Sequence, residues 1–148
     1  MQNDDLLTSS RPVDKPVSER FVLSGLWAST MFCYIYADFF GLFRRGRMAS
    51  MNEGMILPLG EATPTVLLAV SVMMAIPSLM VALTLILPTR VARWSNILFG
   101  LAFTFIQGAT MVGGTPPYYL FFGTIEMLMT LSIVWTAWRW SRPEGIRR

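Results

Sequence analysis

Among the side chains of this 148-residue sequence that could do chemistry, Asp38 and Glu126 are placed at the greatest expense. Both lie inside stretches otherwise apolar enough to span a lipid bilayer, where an ionisable group costs about 2.5–3.5 kcal/mol on insertion scales. A group retained at that cost has a partner or a task. Gln107 lies in a third apolar stretch, flanked by Thr104 and Thr110, and Tyr34 stands one helical turn from Asp38. Asp38, Glu126, Gln107 and Tyr34 are therefore the candidate ligand-binding set. Two carboxylates with an amide and a phenol suit proton coupling or capture of a cationic or hydroxylated ligand. They suit structural glue equally well, with Asp38 paired to Arg44 or Arg45 and Glu126 hydrogen-bonded to Gln107 to set helix register.

Other chemistry is limited by what the sequence lacks. With no histidine and one cysteine, Cys33, the chain alone carries no Ser/His/Asp triad, disulfide-exchange pair, His-ligated haem or ordinary zinc site. No phosphate loop or dinucleotide glycine pattern is present. The methionines have no tight repeated spacing, so Met73, Met74, Met111, Met127 and Met129 read as packing rather than soft-metal ligands. No catalytic residue, metal site or cofactor is expected, and the chain reads as a non-enzyme.

The elements that must position the candidate set follow from composition. Residues are 53% hydrophobic and 14% charged, too few polar groups to cover the surface of a soluble domain of this length. Apolar runs over about 21–43, 63–87, 95–115 and 118–138 each approach the roughly 20 residues that cross about 30 Å of hydrocarbon as a helix. The fold class expected is an all-α, polytopic membrane protein, a four-transmembrane-helix up-down antiparallel bundle over residues 21–140. Pro88 with the basic link Thr89–Arg93, and Pro116-Pro117, mark tight hairpins. Pro77 predicts a kink within the second span.

In that arrangement Asp38 falls about 7–8 Å and Glu126 about 12 Å below the outer interface. Gln107 mirrors Glu126 across the prolines at the same level. The polar set is thus expected as one inward-facing site in the outer half of the membrane.

Both termini share a side with the link between spans two and three. That side carries Arg11, Lys15, Arg20, Arg90, Arg93, Arg139, Arg142, Arg147 and Arg148, against Arg44, Arg45 and Arg47 opposite. The positive-inside rule then predicts a multi-pass protein of the plasma (inner) membrane with both termini cytoplasmic. Residues 1–20 read as a disordered cytoplasmic tail and 141–148 as a basic one. The net charge of +3 suits anionic lipid head groups rather than nucleic acid. Expected partners are the lipid bilayer, a small ligand of unknown identity, and a homodimer or larger membrane complex.

A Tyr-x-x-Phe-Phe-Gly pattern occurs twice, at Tyr36–Gly41 and Tyr118–Gly123, both at the outer interface, where an aromatic belt is the natural cause. At these residues the chain resembles a family of uncharacterised small four-span bacterial membrane proteins. The resemblance rests on the run Tyr34–Asp38 and on Tyr118-Tyr119-x-Phe121-Phe122-Gly123 followed by Glu126, and covers roughly residues 21–140. It implies the four-span fold without an activity. A looser similarity is to DoxX-like four-helix membrane proteins. Two function classes lead from here. One is a small membrane protein that binds or moves a hydrophobic, cationic or proton-linked ligand. The other is an accessory or assembly subunit of a larger membrane complex.

Overall fold

The computed structural model describes residues 16–56, 59–113 and 115–140; of the expected tails over 1–20 and 141–148, residues 1–15 and 141–148 lie outside the described residues, and Glu19 and Arg20 belong to the first helix and not to a tail. The described chain is all-α apart from one short ladder: α1 (Glu19–Gly41), α2 (Arg47–Asn52), β1 (Met55–Ile56), β2 (Gly60–Glu61), α3 (Pro64–Ile86), α4 (Thr89–Thr110) and α5 (Pro117–Arg139).

Local chemistry sets the ends of these helices. Thr63 caps α3 by accepting from the Val66 amide at 3.2 Å, and Pro64 takes the first helical position, where its missing N–H costs nothing. Leu87, forced out of helical conformation by Pro88, ends α3. α4 begins at once at Thr89, so the link expected over Thr89–Arg93 is instead the first turn of α4, and the third helix starts six residues earlier than its apolar run. Two arginines made that turn read as a loop, but helical geometry lets their long side chains reach a polar boundary while the backbone continues. Pro77 sits buried inside α3, with Ser78 donating its hydroxyl to the Met74 carbonyl at 3.0 Å.

Between α1 and α3, left-handed glycines at Gly46 (φ 77°), Gly54 (φ 73°) and Gly60 (φ 94°) fold the connection around α2 and the β1–β2 hairpin, where Met55 opposes Glu61.

The long helices α1, α3, α4 and α5 pack antiparallel along the chain as a helical bundle, with α1 between α3 and α5 and α4 against α5. Its outer surface is rich in large apolar side chains, and its interior mixes apolar residues such as Leu23, Trp27, Met80 and Phe103 with polar ones. Ser24, Thr30, Thr84, Asn96, Gln107, Glu126 and Thr130 are buried, whereas Phe32, Leu68, Leu98, Phe105, Phe121 and Trp135 are exposed. Two of the helices, α3 and α5, are long and apolar enough to cross a membrane. In α1 and α4 the inward polar residues and basic ends dilute the apolar content, while Phe21, Ile35 and Phe39 on α1 and Trp94, Leu101 and Phe105 on α4 keep the outward faces apolar.

Two arginines tie one end of the bundle together. Arg20 donates to the Thr84, Leu85 and Leu87 carbonyls at 3.1, 2.8 and 2.8 Å and lies over the Trp140 ring. Arg93 donates to the Ala137 and Trp138 carbonyls at 3.1 and 3.0 Å. Each guanidinium thus satisfies the orphan carbonyls at the C-terminus of a neighbouring helix, where the backbone dipole favours positive charge.

Candidate functional site

Glu126 belongs to the buried stripe Gly123, Glu126, Thr130, Ile133 and Ala137 of α5, spaced three and four residues apart. It is 1% exposed, and its Oε1 atom has no hydrogen-bond partner among the described residues. Leaving a buried carboxyl oxygen unsatisfied costs about 1–3 kcal/mol or more.

Two close contacts between α4 and α5 frame it. Thr104 donates to Thr130 Oγ1 at 2.7 Å on one side. On the other, the Gln107 amide packs onto Gly123 so tightly that an added Cβ would fall 2.6 Å from its Nε2 atom and 3.0 Å from Met111 Sδ. The tip of the Gln107 side chain therefore reaches to Gly123, one turn of α5 nearer the outer end than Glu126. The expected Gln107–Glu126 hydrogen bond is not formed, which leaves the glutamate oxygen unsatisfied.

From α1, Tyr34 reaches inward, half-buried, its ring 6.4 Å from that of Phe103. Asp38 differs from expectation. The inward face of α1 runs through Leu23, Trp27, Thr30 and Ala37, and Asp38, one residue past Ala37, is turned to the flank and exposed. It stays within electrostatic reach of Glu126 on one side and of Arg47 on the other. The cation beside it is Arg47, from α2, and not the expected Arg44 or Arg45. Glu126, Gln107 and Tyr34 thus line the interior, while Asp38 stands at its edge.

The two aromatic motifs meet each other. Phe40 stacks on Phe122 with centroids 6.1 Å apart, and Gly41 lies against the Tyr118 hydroxyl. The repeated pattern therefore forms an α1–α5 clasp at the end of the bundle nearest Glu126.

Towards the other end, Trp27, Ile97, Phe103 and Ile133 form a buried apolar layer. Beyond it lies a polar cluster that sequence reading missed: Trp27 Nε1 donates to Asn96 Oδ1 at 2.7 Å, and Asn96 Nδ2 donates to Thr84 Oγ1 at 3.1 Å and to the Ala92 carbonyl at 2.7 Å. An amide near the start of an apolar run is the one signal of it in the sequence. This cluster is satisfied, in contrast to Glu126. No group of three or more His, Cys, Asp or Glu side chains that could hold a metal ion occurs among the described residues.

A family model described as a family of unknown function, DUF6326, matches residues 15–146. The chain belongs to DUF6326. The match takes in both tyrosine-rich motifs and every residue of the candidate set. No curated protein and no solved structure matches the chain, and the looser likeness to DoxX-like proteins has no counterpart in these findings.

Proposed function

We propose that this DUF6326 protein is a non-enzymatic polytopic membrane protein. In this reading α1, α3, α4 and α5 each cross the plasma membrane, both termini are cytoplasmic, and a small cationic ligand is captured at Glu126 from the outer half. The spanning assignment is supported by the surface of the bundle, where large apolar side chains face outward on every long helix while Asn96, Gln107 and Glu126 are buried. The arginine caps of Arg20 and Arg93 lie at the end with the greater positive charge, in keeping with the positive-inside rule.

One observation carries the binding reading: the buried, unpartnered Glu126 Oε1. A carboxylate in that position gains a partner when a cation binds, with Asp38 at the rim adding attraction and Gln107 and Tyr34 offering polar contacts. No nucleophile and base are required. Tetraphenylphosphonium is a suitable probe. The protein in nanodiscs is expected to bind it saturably with competition from protons, and Glu126→Gln to lose at least about tenfold in affinity, equivalent to about 1.4 kcal/mol. Equal binding by a folded Glu126→Gln variant would remove Glu126 from the site.

A second reading rests on α3, which buries only Pro77, Met80 and Thr84. So thinly covered a helix also fits an accessory subunit that docks α3 on a larger membrane complex. Native electrophoresis of solubilised membranes distinguishes the two, since an accessory subunit migrates with its complex.

A further inference from the structure

We propose that the outward face of α4 is a binding site for an anionic phospholipid of the cytoplasmic leaflet, with the lipid phosphate on Arg90 and an acyl chain against Trp94 and Leu98. The inference rests on the spanning orientation proposed above. A shallow, open groove along this face is lined by Arg90, Val91, Trp94, Ser95 and Leu98. The residues recur at one side of the helix, and Leu98 lies about 12 Å along the axis from Arg90. A charged head and an apolar chain placed end to end match this order.

Charge decides the kind of lipid. Arg20 and Arg93, at the same end, are committed to helix carbonyls, and Arg139 lies over the Trp135 ring at 4.8 Å. Arg90 is exposed and has no partner among the described residues, so its guanidinium is available to a phosphate. Ser95 adds a hydroxyl within the groove, while Val91, Trp94 and Leu98 are exposed apolar surface that an acyl chain covers. A basic side chain near an anionic leaflet contributes about 1 kcal/mol, or about fivefold in affinity.

Native mass spectrometry of the full chain, titrated with phosphatidylglycerol or phosphatidylcholine, tests the assignment. Wild type should retain phosphatidylglycerol in preference to phosphatidylcholine. Arg90→Gln should lower that retention about fivefold, Arg90→Lys should keep most of it, and Arg139→Gln and Arg45→Gln should change it little. Equal retention by Arg90→Gln and wild type, or equal losses in Arg90→Gln and Arg139→Gln, would overturn the site. Fractionation with alkali-washed membranes separates this failure from failure of the spanning reading: a chain that stays membrane-embedded but ignores Arg90 loses only the lipid site, whereas a chain extracted by alkali loses both.

Discussion

At the residue scale, the glycines facing the candidate site make its packing testable apart from its charge. A methyl group at Gly123 would meet Gln107 and Met111, and one at Gly100 would lie 2.7 Å from Val134 Cγ2 and 3.3 Å from the Thr130 carbonyl oxygen. Gly100→Ala should therefore cost about 1–3 kcal/mol of stability, because backbone cannot move aside cheaply. Gly123→Ala should cost less in stability but reduce probe binding, since the flexible Gln107 side chain can shift, and shifts next to Glu126. Gly25→Ala, with nothing within 4 Å, should be neutral or stabilise by up to about 1 kcal/mol through helix propensity. Thermal unfolding in detergent ranks the series, and a destabilised Gly25→Ala would contradict the packing described. The burial of Gln107 and Glu126 was legible because a polar side chain in an apolar run has few other places to go. Asp38 was not, since its direction depends on which residues of α1 face α5. A shift of one residue, about 100° of helical rotation, carried it from the interior to the flank.

Among the elements, side chains that reach across helices join neighbours more specifically than apolar area does. The Trp27–Asn96 hydrogen bond links α1 to α4, so a double-mutant cycle with Trp27→Phe and Asn96→Ala should return a coupling of about 0.6–1.7 kcal/mol, the range found for hydrogen bonds between membrane helices. Arg20→Ala should cost about 1.5–3 kcal/mol by leaving the end of α3 uncapped, with partial recovery in Arg20→Lys. A zero coupling, or an Arg20→Ala variant as stable as wild type, would show that these contacts do not hold the helices. Helix number and approximate position were readable from apolar run length and proline placement. The start of α4 and the hairpin within the α1–α3 connection were not. Arginines next to Pro88 resemble a loop in composition, and three glycines scattered over residues 46–60 specify a hairpin only once their left-handed backbone angles are known.

For the molecule as a whole, the proposed spanning topology predicts opposite accessibility at its two ends. On a Cys33→Ser background, Ala49→Cys, exposed on α2, should react with a membrane-impermeant maleimide in intact cells. Val17→Cys, exposed just before α1, should react only after permeabilisation. Labelling of both in intact cells, or of neither, would contradict an arrangement that puts α2 outside and the N-terminus inside. Whole-chain composition announces the apolar surface, but it is silent on how the interior is divided. That division depends on Trp27 and Phe103 meeting edge to face at 6.1 Å across α1 and α4, a contact between residues far apart in sequence.

In the proposed orientation, the apolar layer of Trp27, Ile97, Phe103 and Ile133 also predicts how cation binding at Glu126 depends on membrane voltage. Glu126 is the tenth residue of the 23-residue α5, about 13 Å along a helix of about 34 Å. With the layer closing the cytoplasmic side, a monovalent cation arriving from outside crosses roughly two-fifths of the field before it stops. At about 2.3 kcal/mol per charge per 100 mV for the full drop, that fraction is worth about 0.9 kcal/mol. Probe affinity should therefore rise about fourfold to fivefold for each 100 mV of inside-negative potential across a proteoliposome, and the same potential should leave Glu126→Gln unaffected.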